Sequence, residues 1–226
     1  MYNKIWRCIG PMAAKIKTMR DQVYEILKNN ITSGKYRQGQ WLQENTLAEE
    51  LHVSRSPVRD ALHQLAKDGL VNEIPNRGVF VREYSLKDID ELFEIRIMFE
   101  SYAIKAICKN LTESQRQVLE QFKKDFKYFL SKGDLVEYTK SDTLYHCTLI
   151  EMAGNATVAK FYNSVKDMYA QFRMNALRLP ERFQGSADEH IQTIDSILAG
   201  KTEEAIRLNE EHLLITKKAL LKLHNL

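Results

Sequence analysis

The hydrophobic pattern of this 226-residue chain changes its period at one place, and this change constrains the fold more than any other feature. Upstream, apolar residues recur at helical spacing, and then two strand-like runs, LVNEI and VFVRE, flank the turn PNRG. Gly78 in that turn can adopt a positive φ. Beyond Tyr84 the helical spacing returns and continues to the end. The sequence therefore predicts a mainly α protein with one β-hairpin and a domain boundary near residues 82–86.

Capping residues and glycines predict the bounds of the helices. The first helix is expected from about Thr18 to Ser33, and the second over ENTLAEEL. The third is expected to open at Ser56-Pro57, since serine is a good N-cap and proline suits the first helical position. Capping boxes at Ser85, Thr112 and Ser186 are expected to open the first, second and fifth helices of the C-terminal part. That part is predicted to form an antiparallel bundle of about six helices, at 86–109, 113–131, 135–153, 156–179, 187–199 and 203–223.

Three short helices followed by a β-hairpin form the plan of a winged helix-turn-helix with a hairpin wing. The segments LAEELHVSRSPVRDALHQLAKDGLV and PNRGVFV resemble the N-terminal domain of the GntR family of transcription regulators over about residues 18–82. This resemblance implies that the domain reads double-stranded operator DNA. Repression is the commoner mode in that family, so a repressor is expected.

Two arginines four residues apart mark the expected DNA-reading end of the third helix. Arg55 and Arg59 lie opposite its inner stripe, and an arginine that enters the major groove can make a bidentate contact to guanine. Isolated arginines are more often solvated surface charges, but their position inside this motif favours DNA contact. The candidate DNA-binding residues are Ser54, Arg55, Ser56, Arg59, Thr46, Arg77 and Gly78. Thr46 lies where the family often has a basic residue, which leaves the operator sequence open.

Charge and cysteine content fit this interpretation. Residues 1–82 carry 13 Lys and Arg against 8 Asp and Glu, whereas residues 83–226 carry 20 against 22, which favours an anionic partner for the front part only. Three widely spaced cysteines argue against a disulfide framework, and no run is apolar enough for a membrane span. We therefore expect a cytoplasmic protein with no membrane partner. Residues 1–17 are expected to form a loosely ordered arm.

The C-terminal part contains a candidate metal site. Asp142 and His146 are four residues apart, so a helix places them on one face. His190 lies ten residues before the turn at Gly200, and His212 lies twelve after it. At about 1.5 Å per residue, an antiparallel helix pair brings these two histidines to nearly the same level. A lone helical histidine is more often a packed or surface residue, so the case depends on the four residues meeting.

The segments SDTLYHCTLIEMAGN, DEHIQTIDSILAGKTEEAI and EEHLLITKKAL resemble the FCD ligand-binding domain of the FadR subfamily of GntR regulators, over about residues 86–223. The length suits its VanR-like branch. The resemblance implies a homodimer in which residues 86–226 bind the effector, and a divalent metal ion on Asp142, His146, His190 and His212. Three imidazoles and one carboxylate suit zinc above all, with nickel, iron or manganese as alternatives.

Arg96, and more weakly Arg173, are candidate effector-binding residues, because a guanidinium beside a metal suits a small carboxylate. A buried structural ion pair between Arg96 and Glu100 is an equally good interpretation.

Three functional hypotheses remain open. In the first, a small organic acid bound at the metal controls operator affinity. In the second, the metal itself is the signal or a structural clamp. In the third, the back part is a metal-dependent hydrolase tethered to DNA. No HExxH motif or similar general base accompanies the cluster, so we expect a regulator and not an enzyme.

Overall fold

The computed structural model describes residues 17–177 and 179–224, apart from the side chains of residues 171–175, 180, 223 and 224. The chain forms two compact units, one ending at Arg82 and the other beginning at Glu83. The expected arm at residues 1–17 lies outside the described residues except for Lys17. Within the described ranges, no helix has both the length and the apolar character needed to cross a bilayer.

From residue 17 onwards the first unit contains three helices and a small sheet, and the mainly α winged helix-turn-helix fold is confirmed. In chain order its elements are α1 (Met19–Thr32), β1 (Trp41–Leu42), α2 (Glu44–Glu50), α3 (Arg55–Lys67), β2 (Val71–Ile74) and β3 (Gly78–Val81). Thr18 caps α1 in a capping box with Asp21. The apolar stripes of α1 and α3 are buried, with Leu27, Val58 and Leu65 at 0% exposure. This core fixes the direction in which α3 presents its outer face.

The sheet has three antiparallel strands in the order β1-β3-β2. The predicted hairpin is confirmed as β2 and β3, with Val71 opposite Val81 and Ile74 opposite Gly78. The third strand, Trp41–Leu42, was not predicted, because two residues are too short to show an alternating pattern.

The second unit contains six helices, as the sequence predicts. They are α4 (Leu86–Lys109), α5 (Glu113–Lys132), α6 (Leu135–Met152), α7 (Ala156–Leu177), α8 (Pro180–Leu198) and α9 (Thr202–His224). Capping boxes at Ser85 and Thr112 open α4 and α5 as expected. Aromatic rings of α5 and α6, among them Phe126 and Tyr145, fill the core.

Two helix starts differ from the prediction by two residues or more. α3 begins two residues earlier than expected, at Arg55 with Ser54 as the N-cap residue, so Ser56 lies inside the first turn. α8 begins at Pro180, with Leu179 as a cap residue whose side chain makes no capping bond to a described residue. Ser186 is therefore an interior residue of α8, where its hydroxyl accepts a hydrogen bond from Tyr138 at 2.9 Å. An S-x-x-E pattern inside a helix resembles the capping box at a helix start, because in both a serine precedes a glutamate by three residues.

Candidate metal centre and nucleic-acid interface

Four side chains from three helices meet inside the second unit. Asp142 and His146 lie one turn apart on α6, His190 lies on α8 and His212 on α9. All four are buried, and each offers one ligand atom within 4.8 Å of the others. The rings of His190 and His212 are 4.2 Å apart between centroids, at one level of the α8–α9 pair.

Hydrogen bonds to acidic groups outside the cluster orient two of the three imidazoles. His146 Nδ1 lies 3.0 Å from Glu100 Oε2, and His212 Nδ1 lies 2.7 Å from Glu189 Oε2. In each case an Nδ1–H donates to the carboxylate, which leaves Nε2 with its lone pair for the centre. Metal-binding histidines in proteins are commonly held by a carboxylate in this manner. His190 differs, since its Nε2 lies 2.6 Å from Oδ1 of Asp142, which is itself a candidate ligand.

Glu100 is the carboxylate that links the cluster to the rest of the core. Its side chain is fully buried, and its two oxygens accept hydrogen bonds from four helices. Oε1 accepts from Arg96 Nε at 2.7 Å and from Tyr162 at 3.3 Å, whereas Oε2 accepts from His146 at 3.0 Å and Asn209 at 3.1 Å. The sequence indicated only the contact with Arg96, one turn away on α4. The other contacts join residues distant in sequence, so no local pattern could reveal them.

Glu189 supports the cluster from the opposite side and was not predicted. Arg182 donates two hydrogen bonds to it, at 2.7 and 2.9 Å, and a third to Thr216 at 3.1 Å. Burial alone would raise the pKa of Glu189, but the contacts with Arg182 and His212 outweigh burial and lower this pKa to about 2. Burial, with the repulsion of His190, lowers the pKa of His212 to about 4 despite Glu189. His212 is thus a neutral imidazole at neutral pH, and Arg182 is the cation that keeps Glu189 ionised.

The spacing of Arg182 and Glu189 in the sequence indicates their pairing, but the prediction did not use it. The two residues are seven apart, which places them on the same face of a helix two turns away from each other. The predicted start at residue 187 placed Arg182 outside the helix and concealed this relation.

The donor set fits a divalent transition metal. Ligand atoms 2.0–2.2 Å from one ion can be at most about 4.4 Å apart, so the observed 4.8 Å limit requires shifts of only a few tenths of an ångström. Imidazole and carboxylate together suit Zn²⁺ and its neighbours. Buried polar atoms around the centre also lack hydrogen bonds to described protein groups, including His190 Nδ1, Tyr145 Oη and Asn209 Oδ1. Native proteins usually satisfy such atoms with a ligand or ordered water.

Arg96 is buried beside this centre. Burial opposes its charge, but Glu100 and the other nearby acids outweigh burial and raise the pKa of Arg96, so it is a permanent cation. Its Nη2 atom makes no hydrogen bond within the described part of the chain. The guanidinium also lies 5.5 Å from the centre of the Tyr169 ring. The other effector candidate, Arg173, has its side chain outside the described residues.

All the candidate DNA-binding residues of the first unit are exposed. They are Thr46 on α2, Ser54, Arg55, Ser56 and Arg59 at the start of α3, and Arg77 and Gly78 at the tip of the wing. The structure thus brings five of them to the neighbouring ends of α2 and α3 and leaves two on the hairpin. The side chain of Ser54 makes no capping hydrogen bond to a described residue, so its hydroxyl remains available to an external acceptor.

Gly78 adopts the positive φ that the turn predicts, and packing within the wing adds a second reason for a glycine there. In the structure Gly78 has φ +104°, and an added Cβ would lie 2.7 Å from Nε1 of Trp41. The Trp41 ring also stacks near Phe80, with 6.4 Å between centroids. Gly78 therefore admits the indole that packs the β1 strand onto the wing.

Comparison with known proteins agrees with this architecture. The family model "FCD domain" matches residues 91–214, and the model "Bacterial regulatory proteins, gntR family" matches residues 19–81. The gluconate operon transcriptional repressor of Bacillus subtilis is 30% identical over 164 residues, which are 70% of this chain and 65% of the repressor.

Solved structures show the same fold. E. coli McbR/YncC superposes with a TM-score of 0.79 at 19% identity, over 92% of this chain and 99% of that one. The metal-free FCD domain of TM0439 gives a TM-score of 0.52 at 25% identity, over 64% of this chain and 99% of that domain.

Proposed function

Since the chain belongs to the gntR family of bacterial regulatory proteins and carries an FCD domain, it is a DNA-binding transcriptional regulator and not an enzyme, and we propose how it is controlled. A small carboxylate effector binds at a divalent metal ion, preferably zinc, held by Asp142, His146, His190 and His212. Occupation of this site changes the affinity for operator DNA. The gluconate repressor among its relatives makes repression the preferred mode.

One observation carries the proposal: four buried donors converge next to a buried arginine with an uncommitted donor atom. When bound, the ion supplies open coordination positions for carboxylate oxygens. Arg96 Nη2 supplies a charged donor for the same anion, and a guanidinium matches the shape of a carboxylate. Glu100 and Glu189 keep the imidazoles aligned. The size of the carboxylate and the further polar groups of the effector then determine which organic acid the site selects.

Exposed residues of α3 support the proposed contact with DNA. Arg55 and Arg59 are assigned to base edges in the major groove, and Ser54, Ser56 and Thr46 to phosphates. Arg77 and Gly78 are assigned to the backbone or minor groove beside the wing. Replacement of Arg59 by alanine should weaken binding to the selected operator by about 1–3 kcal/mol, measured by a gel-shift titration. Unchanged binding would contradict this assignment.

A homodimer is proposed for geometric reasons. One winged helix covers only a half-site, so a palindromic operator requires two copies related by a two-fold axis. The second unit offers an apolar face for such contact: Ile95, Met98 and Tyr102 lie on one side of α4 and are 38%, 60% and 43% exposed. Exposed apolar patches of this kind are typical of protein interfaces.

The decisive experiment combines metal analysis with native mass spectrometry of the purified protein. We expect one ion for each chain, a dimer, and a retained or added carboxylate that changes operator affinity. His212→Ala should lose the ion, whereas His63→Ala, which changes an exposed histidine of the first unit, should keep it. Metal content equal in both variants would contradict the site.

The carboxylate contacts behind His146 and His212 also suit a metal that is the signal or a structural clamp. Titration of metal into chelated protein separates these hypotheses. DNA binding that follows the ion concentration without any organic acid favours a metal sensor. DNA binding that changes only when a carboxylate is added to metal-loaded protein favours the effector.

A further inference from the structure

The two arginines assigned to DNA bases are both held by one acid. Glu44 is the first residue of α2, and its carboxylate accepts hydrogen bonds from Arg59 Nε at 3.2 Å and from Arg59 Nη2 at 3.0 Å. Arg55 Nη2 reaches the same carboxylate at 3.4 Å. An interaction between the starts of α2 and α3 therefore fixes the direction of both guanidinium groups. No local sequence pattern indicates this contact, because Glu44 and Arg59 are 15 residues apart.

A simple structural explanation exists for Glu44. An acid in the first turn of a helix favours the helix dipole, and a surface ion pair adds a small stabilisation. These roles do not explain the location, however. The acid lies within the surface proposed to contact phosphates, where a negative charge weakens sequence-independent binding to DNA. The helix dipole would be served equally by an acid at another exposed position of the first turn, such as the one that Asn45 occupies.

The hydrogen bonds leave Arg59 with a restricted set of free donors. The carboxylate occupies the edge formed by Nε and one side of Nη2. The outer edge, formed by Nη1 and the other N–H of Nη2, still has two parallel donors. Guanine offers two acceptors, O6 and N7, which match such a pair of donors. A side chain that is 51% exposed would otherwise sample many rotamers, and the order imposed beforehand reduces the entropy lost on binding.

We propose that Glu44 is a positioning residue that determines sequence specificity: it aims the outer edge of Arg59, and with it Arg55, at base acceptors, and it disfavours capture of these arginines by phosphates. The inference rests on the proposed DNA contact of Arg59. Glu44 does not itself touch a base. Glu44 lowers the affinity of the protein for every DNA sequence. It also raises the ratio of the affinity for the operator sequence to the affinity for other sequences.

The experiment compares two duplexes for each variant. The specific probe is the consensus duplex that the wild-type protein recovers from a randomised pool, and the non-specific probe is a shuffled duplex of the same composition. In Glu44→Gln, we expect the affinity for the shuffled duplex to rise and the ratio of the two affinities to fall by about tenfold. Glu44→Ala should show a ratio at least as low. Because both affinities come from one preparation, a partly unfolded sample does not alter their ratio.

Control variants make the outcome specific. Glu49→Gln removes the same charge from the same helix and should leave the ratio unchanged. In a background in which both Arg55 and Arg59 are replaced by alanine, Glu44→Gln should have no further effect on the ratio. If Glu44→Gln strengthens binding to both duplexes equally, Glu44 only repels DNA, and the inference is overturned. If it weakens both equally, or leaves both unchanged, a structural role is sufficient and the inference is also overturned.

Failure of this inference can be distinguished from failure of the proposed function. If Arg59→Ala keeps the wild-type ratio, Arg59 does not read bases and the proposed contact fails. If Arg59→Ala loses the ratio while Glu44→Gln keeps it, the contact stands and only the positioning role of Glu44 is rejected.

Discussion

At the scale of single residues, Glu100 connects several helices, because its carboxylate joins side chains from α4, α6, α7 and α9. Two of them, Arg96 and His146, belong to the proposed effector and metal sites. A change at Glu100 therefore affects the fold and the site together.

Replacement of Glu100 by glutamine should lower both stability and metal affinity. Arg96 would become a buried cation without its counter-charge, which costs about 3–5 kcal/mol. His146 would lose the acceptor that orients it, which typically lowers metal affinity about 10–100-fold. Denaturant unfolding and competition with a chelator measure the two effects. Glu94→Gln, an exposed change on the same helix, is the matched control, and a Glu100 variant that behaves like it would refute the assignment.

Glu189 gives a prediction about pH. Its folded-state pKa is lowered from 4.5 to about 2, so its ionised form stabilises the protein above pH 4.5, and this contribution disappears as the pH falls towards 2. The loss should amount to about 2 kcal/mol after allowance for solvent screening of a partly exposed group. Denaturant unfolding of the chelated protein between pH 6 and pH 2.5 measures it. Glu189→Gln should show a correspondingly weaker pH dependence; a parallel profile would contradict this.

At the scale of secondary-structure elements, the wing depends on the packing of β1. Gly78→Ala introduces a Cβ against the Trp41 ring and also strains a residue at φ +104°. Gly34 has a similar positive φ of +75° but open space around it, so Gly34→Ala reports the strain alone, about 1 kcal/mol. In denaturant unfolding, we expect Gly78→Ala to lower the free energy of unfolding clearly more than Gly34→Ala does. The extra loss of unfolding free energy at Gly78 should shrink when Trp41 is also replaced by alanine. Equal losses for Gly78→Ala and Gly34→Ala would exclude a clash between the new Cβ and the Trp41 ring.

Elements whose signals are local could be predicted from the sequence. The capping boxes at Ser85 and Thr112, the hairpin around PNRG and the inner stripe of α3 depend on residues within one or two turns. The start of α8 could not be predicted in this way, because its cap residue Leu179 offers no side-chain signal.

The residues of the candidate site also divide into those that local sequence signals predict and those that they do not. The four proposed metal ligands followed from helix periodicity, the length of the α8–α9 hairpin and family resemblance. Their supporting acids did not, because Glu100 meets His146 and Asn209 across 46 and 109 residues of sequence. Long-range pairing of polar side chains is set by the packing of whole helices, which short patterns do not contain.

At the scale of the whole molecule, all four residues of the proposed metal site belong to the second unit. Metal should therefore stabilise that unit by mass action, by about 2.7 kcal/mol at a hundredfold excess over the dissociation constant. Hydrogen exchange of metal-loaded and chelated protein tests this. Protection should rise in α6, α8 and α9 and remain the same in α1 and α3. Equal gains in both units would show that the ion acts beyond the site that holds it.

The hairpin of α8 and α9 also constrains the number of residues between two of the proposed metal ligands. His190 and His212 meet because their distances along the two helices from Gly200 nearly match. One residue inserted into α9 before His212 would rotate that ring by about 100° and advance it by 1.5 Å, away from its partners. Length changes between these two histidines are therefore excluded. Regulators that bind the same ion should keep 21 residues between these two histidines, while insertions accumulate elsewhere.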